Sequence, residues 1–397
     1  MKKNESPGLS GLVKRCSGPR SRAWDVTDRA SELERRGENI IHLGVGDPDF
    51  DTPEEIIAAA HRSMSSGRTH YSPIPGESNL RKQIAMHATG LYGKTIEQDN
   101  VVVFPGAQCA LFSTFLCLAE HGDEVILLEP AYATYDAVAQ AGGARAVRVP
   151  LDAKSGFALD VEKIRSAITK DTKAILLNSP GNPTGAVFAK TAIENLVSLC
   201  CEKNIWLVSD EVYWSMVFDG EHNSPLSTAG AEERVIVVNS LSKSHAMTGW
   251  RIGWVIAPGK LSASLASLSQ ALLFGVSQFS QDAATYALAN DLQSVQSMVQ
   301  TFQRRRDRFC AEMNDIEGIS VYPPAGGMFL LVEIGDLGMN GTQFADKLLD
   351  ETGVAVVPGF AFGNSVENFV RIGFLRDEEA MSDAASRIRR FVAQIRG

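Results

Sequence analysis

The sequence predicts an α/β fold built on a mainly parallel sheet flanked by helices, with a smaller α+β region attached. Two observations carry that prediction. Beyond about residue 100, short runs rich in Val, Ile and Leu alternate with longer helical patterns, and repeated β–α–β order implies parallel strands joined by crossover helices. The runs are also continuously apolar rather than alternating, as expected where helices cover both faces of a sheet.

In order, Val101–Phe104 reads as a strand and 107–119 as the helix after it. Strand 125–128 precedes a helical stretch over 132–140, and strand 144–149 precedes a helix over 161–168. Strand 174–178 and helix 193–203 follow, then strands 205–209, 235–239 and 252–256. After about residue 260 the texture changes. A long helix passes through 298–313 and carries Arg304, Arg305, Arg306 and Arg308, a run that reads as a solvated helix face. Short strands at 328–332, 354–357 and Phe369–Gly373 are interleaved with helices over 341–351 and 378–395.

Composition bounds the function. The 397 residues suffice for two lobes. A net charge of −9 argues against general binding to a nucleic-acid backbone. Cys16, Cys109, Cys117, Cys200, Cys201 and Cys310 are too sparse for a disulfide scaffold and suggest a reducing compartment. The seven histidines show no ligand spacing, so no metal is expected. No apolar run reaches membrane-spanning length. Lys2, Lys3, Lys14, Arg15, Arg20 and Arg22 surround only a short apolar segment, which reads as a mobile polar arm on a cytoplasmic protein.

Four segments fall at strand ends, where open parallel sheets bind ligands. Gly106-Ala107-Gln108 opens a helix directly after a strand and would let backbone N–H groups approach an anion. No G-x-G-x-x-G or P-loop pattern accompanies it. Asn178-Ser179-Pro180-Gly181-Asn182-Pro183-Thr184-Gly185 ends another strand, with more asparagine than a plain turn requires. Asp210 closes a third, where a carboxylate needs a cation or hydrogen bonds; a structural ion pair would serve equally. The fourth segment, 240–253, sets Lys243 just beyond a strand with Ser240, Ser242 and Ser244 beside it and Arg251 eight residues on.

Together these segments resemble the class I aminotransferases, pyridoxal 5′-phosphate (PLP) enzymes of fold type I, from about Trp24 to the C-terminus. The resemblance implies that Lys243 is the Schiff-base lysine and proton carrier. It implies that Asp210 pairs with the ring nitrogen, that Asn182 and Tyr213 hold the phenolic oxygen, and that Tyr132 stacks on the ring. Gly106, Ala107, Gln108, Ser240 and Arg251 would cradle the phosphate, and Tyr71 would reach the phosphate of a neighbouring subunit in a homodimer with shared sites. Arg371 would grip the substrate α-carboxylate, with Gly46 and Asn182 beside it.

The implied organisation is an arm over 1–23, a small α+β domain of 24–50 and 285–397, and a large PLP-binding domain of 51–284. Several motifs are similar to those of arginine:pyruvate transaminases: Ala23-Trp24-Asp25, Gly44-Val45-Gly46-Asp47-Pro48, Gly106-Ala107-Gln108-Cys109 and Phe218-Asp219-Gly220-Glu221-His222. On that footing an acidic residue at the entrance, with Asp25 the candidate, would bind a guanidinium or ammonium side chain; Asp25 could equally cap a helix. An aspartate, aromatic or alanine-type aminotransferase, an amino-acid oxidase and a β-eliminating lyase share this constellation. A ligand-sensing module would need an added domain that the sequence does not show.

Overall fold

The computed structural model describes residues 8–17, 20 and 24–397. Helices α1 (Gly11–Cys16) and α2 (Asp25–Arg35), strand β1 (Ile41–His42) and helices α3 (Glu54–Ser65) and α4 (Ser78–Tyr92) come first. The alternating region follows: β2 (Val101–Phe104), α5 (Ala107–Leu118), β3 (Glu124–Glu129), α6 (Tyr135–Ala139), β4 (Arg145–Pro150), α7 (Val161–Ala167), β5 (Thr172–Asn178), α8 (Lys190–Lys203), β6 (Trp206–Asp210), β7 (Val235–Ser240) and β8 (Gly253–Ile256). Helices α9 (Gly259–Leu272), α10 (Gln278–Ala289) and α11 (Gln293–Asn314) lead on to β9 (Ser320–Tyr322), β10 (Phe329–Glu333), α12 (Gly341–Thr352), β11 (Val354–Ala355), β12 (Val357–Pro358), β13 (Phe369–Gly373) and α13 (Glu378–Arg396).

The central sheet has seven strands in the order β2-β8-β7-β6-β5-β3-β4. All neighbours pair in parallel except β8, which is antiparallel to both β2 and β7. The reason is the connection: β7 and β8 are joined by the loop that carries Lys243 rather than by a crossover helix, so the chain returns antiparallel. Side chains divide between the two faces with period two. Val101, Val103, Ile126, Ile175 and Val237 join one apolar cluster, and Val102, Phe104, Leu127, Leu176 and Val238 the other. Each fully buried Val or Leu is worth roughly 1.5–3 kcal/mol, so burial on both faces holds this sheet.

A third cluster joins α2, α11, α12 and α13 to the four-stranded antiparallel sheet β12-β13-β10-β9 and the parallel pair β1-β11. Capping fixes these helix ends. Asn340 and Gln343 form a reciprocal capping box at α12, which ends on the left-handed Gly353, and Asp377 caps α13.

Three sequence expectations are revised. The helix expected over 132–140 shortens to α6, because the chain from Ala131 to Thr134 forms a turn closed by Tyr135 N–H donating to Tyr132 O. The arginine run on α11 is not uniformly solvated. Arg305 pairs with Asp49 and stacks on Phe50, while Arg306 pairs with Asp219 and stacks on Phe218, and both are buried. The described part of the N-terminal arm is anchored: Arg15 donates to the carbonyls of Gln140 and Ala141, and Arg20 bridges Phe360 O and Asp136. Lys2, Lys3 and Arg22 lie outside the described residues. Among the described residues no helix is long and apolar enough to cross a membrane.

Candidate active site

A cavity of about 510 Å³ opens at the C-terminal ends of β5, β6 and β7. Gly46, Ala107, Gln108, Tyr132, Asn182, Asp210, Tyr213, Ser240, Lys243, Arg251 and Arg371 all line it, so residues scattered over 325 positions of sequence meet in one place. Gly106 lies directly beneath Arg251. Tyr71 is not brought to this cavity. It is 80% exposed, its ring against Phe274, which is itself half exposed.

Lys243 sits on the loop between β7 and β8, and its Nζ donates to Gly46 O. Burial lowers its pKa to about 8; Asp47 opposes the shift, and the charges of Arg251 and Arg371 reinforce it. The loop is stiff. Ser240 Oγ accepts from Ser242 N–H at 2.9 Å and donates to Ile252 O at 2.8 Å, tying the two ends of the arch together.

Asp210 closes β6 at 4% exposure with no cation paired to it among the described residues. Tyr135 donates to its Oδ2 at 2.6 Å and Val212 N–H to its Oδ1 at 3.3 Å. Burial raises its carboxyl to about 6, against which these hydrogen bonds act. Tyr213 is buried, with its hydroxyl accepting from Asn182 Nδ2 at 3.4 Å, and burial pushes its pKa up. Tyr132 packs edge-on against Tyr135, the ring centroids 5.6 Å apart.

The start of α5 forms an anion-sized cradle. Gly106 adopts φ +88°, and a Cβ there would fall 2.3 Å from Arg251 Nη2. Gly253 packs equally close, its missing Cβ 2.5 Å from Ala107 N. Arg251 itself holds a left-handed backbone at φ 54° and donates to Thr248 O at 2.7 Å and Pro105 O at 3.3 Å. A guanidinium beside the first N–H groups of a helix is suited to a phosphate.

Arg371, in β13, is 1% exposed. Its Nη1 donates to Asn182 Oδ1 at 2.9 Å and its Nη2 to Gly44 O, while Nε has no partner among the described residues. Its guanidinium lies 3.9 Å from the centroid of Phe329 and 4.7 Å from that of Phe362. Burial lowers its pKa to about 10, and no carboxylate among the described residues answers its charge. A buried cation with an orphan N–H beside a cavity is a receptor for an anion.

The cavity also contains residues that the sequence did not single out. Tyr135 anchors Asp210; its spacing of three from Tyr132 on a helical stretch was the available signal. Phe329 floors Arg371, and nothing in its strand marked it. Asp25 does not line the cavity; Asp28, further along α2, does.

Comparison with known proteins identifies the family. The family described as "Aminotransferase class I and II" matches residues 38–388. The arginine–pyruvate transaminase AruH of Pseudomonas aeruginosa is 43% identical over 388 residues, covering 98% of this chain and 99% of that protein. An aspartate aminotransferase of Pyrococcus horikoshii is 34% identical, covering 93% of this chain and 94% of its own length. The structure of Thermus thermophilus aspartate aminotransferase with maleate superposes with a TM-score of 0.92 at 35% identity, over 97% of this chain and all of that one. With a lysine, a buried aspartate and two arginines gathered at the strand ends of a fold-type-I sheet, this chain belongs to the class I and II aminotransferase family.

Proposed function

We propose that this aminotransferase binds PLP in the cavity and transfers the α-amino group of a basic amino acid, arginine foremost, to a 2-oxo acid such as pyruvate in a ping-pong cycle. The observation that carries the reading is the convergence of Lys243, Asp210, Arg251 and Arg371 on one cavity, with Arg371 buried and unanswered by any carboxylate among the described residues.

The residues fit the cofactor. Arg251 and the N–H groups after Gly106 would hold its phosphate, with Ser240 beside them, and the absent Cβ of Gly106 leaves room for the guanidinium. Tyr132 would cover the ring, Asn182 and Tyr213 would bond its phenolic oxygen, and Asp210 would keep its nitrogen protonated by charge pairing. When bound, PLP supplies an electron sink for the pair left on Cα after proton loss. Lys243 is the base for that proton: burial lowers its pKa to about 8, so a useful fraction is neutral near physiological pH. Arg371 would orient the donor by clamping its α-carboxylate, with Gly46 and Asn182 at the same end of the cavity.

Two further readings accompany this one. A homodimer with shared sites fits the exposure of Tyr71 and Phe274, aromatic side chains left uncovered in a single chain. A small domain of 24–50 and 285–397 beside a large one of 51–284 follows the main membership of the apolar clusters, although Leu331, Val357, Phe362 and Phe369 pack with the large region and Tyr213 and Met216 with the small one, and six free thiols suit a reducing cytoplasm.

The test is a panel of amino acids offered to the PLP-loaded protein, followed by several 2-oxo acids, with cofactor absorbance and oxygen recorded. Transamination leaves pyridoxamine phosphate and consumes a 2-oxo acid. Oxygen uptake, or ammonia release without an acceptor, would overturn it.

A further inference from the structure

We infer that Asp28 is the residue that selects a cationic side chain on the amino donor, an inference that rests on the aminotransferase reading above. Helix α2 and its N-cap present Trp24, Thr27 and Asp28 to the cavity, Trp24 being the N-cap residue. Positions i, i+3 and i+4 share one helix face, so the three form a single wall. That wall borders the carboxylate grip. The Trp24 ring lies 5.9 Å from the Arg371 guanidinium. Thr27 Oγ1 lies 3.1 Å from where a Cβ on Gly44 would stand, and Gly44 O is held by Arg371.

Charge then decides what the wall accepts. Among the described residues two carboxylates line the cavity, and Asp210 is buried under Tyr135 at the reacting end. The other is Asp28, exposed at the mouth and without an ion pair or hydrogen bond among the described residues. The lining cations, Lys243, Arg251 and Arg371, all belong to the reacting end. Among the described residues of one chain, the side-chain end therefore offers an unanswered negative charge and no positive one. A donor held by its α-carboxylate at Arg371 directs its side chain along this wall. A guanidinium or ammonium there gains a charge-assisted bond to Asp28, whereas a distal carboxylate is repelled. Thr27 Oγ1, buried and without a hydrogen-bond partner among the described residues, adds a second acceptor of the kind a guanidinium fork can use.

The test uses the PLP-loaded protein and its Asp28→Asn and Asp28→Ser variants. One measurement is the ratio of kcat/KM for arginine to that for alanine. The other is the ratio of Kd for 5-guanidinopentanoate, which lacks the amino group, to that for hexanoate. Loss of one charge-assisted bond lowers the arginine preference about tenfold or more and weakens guanidinopentanoate relative to hexanoate by a similar factor. The glutamate-to-alanine ratio rises in the same variants. Ratios equal to the parent's, or a parallel fall for both donors as a structural role would give, overturn the assignment of Asp28 while leaving transamination intact. A parent protein that turns over alanine but neither arginine nor lysine overturns the basic-donor reading itself, and the role of Asp28 with it.

Discussion

Replacing Gly106 with alanine tests the phosphate cradle through a single methyl group. Two costs can be read from the structure. Gly106 has φ +88° and ψ 160°, a region essentially confined to glycine, where another residue costs about 1–3 kcal/mol. The new Cβ would also stand 2.3 Å from Arg251 Nη2 and 2.8 Å from its Cζ. Ordinary contact begins near 3.4 Å, so the guanidinium must retreat by about an ångström. That removes it from hydrogen-bond range of an anion on the α5 N-terminus. One charge-assisted bond is worth about 1.5–3 kcal/mol, so the Kd for PLP should rise roughly 10- to 100-fold, read by titrating the ligand-free protein and following cofactor absorbance. Gly230→Ala is the control, since Gly230 also has positive φ (+78°) but nothing within 4 Å of its missing Cβ. It should lower Tm and leave PLP affinity alone. Parental PLP affinity in Gly106→Ala, or an equal loss in Gly230→Ala, would refute the cradle.

Three further outcomes are expected. Arg371→Lys cannot keep the bonds to both Asn182 and Gly44 while offering a fork to a carboxylate, so kcat/KM for every α-amino acid should fall about 10- to 100-fold; unchanged kinetics would remove Arg371 from substrate binding. Burial holds Asp210 near pKa 6 in the ligand-free protein, above the ordinary 3.8, so the folded state binds this proton more tightly than the unfolded chain and loses stability as pH rises from about 4 through about 6. A cationic ring nitrogen relieves that loss, and the gain in Tm on PLP loading should therefore widen across this window; a gap independent of pH, or one that Asp210→Asn leaves widening as before, would contradict the pairing. If Tyr71 serves the neighbouring subunit, Tyr71→Ala chains co-expressed with Lys243→Ala chains should regain activity that neither shows alone, and assays of the purified mixture showing no recovery would exclude shared sites.

Much of this was legible because the chemistry is written in contiguous segments. The loop 240–253 carries Lys243, Ser240 and Arg251 together, and the strands beneath it are unbroken apolar runs, so both the sheet and these cavity-lining residues could be read in order. What escaped depends on packing between distant segments. Arg305 and Arg306 look like solvent-facing charges until Asp49 and Asp219 are folded against them. The reversal of β8 follows from a loop standing where a crossover helix would be, which periodicity does not report. Asp25 and Asp28 are equivalent as sequence; only the rotation of α2 turns one of them to the cavity.

The bonds of Arg371 reach across the fold. One guanidinium in β13 fastens Asn182, on the loop after β5, to Gly44, in the segment after β1. Three stretches of chain from different sheets are thus riveted at a single planar group whose buried Nε–H has no partner among the described residues. If, as proposed, a donor's α-carboxylate docks there, the same event that identifies an amino acid would also tighten the seam between the sheets, and a ligand lacking that carboxylate would leave the seam slack however well the rest of it fits.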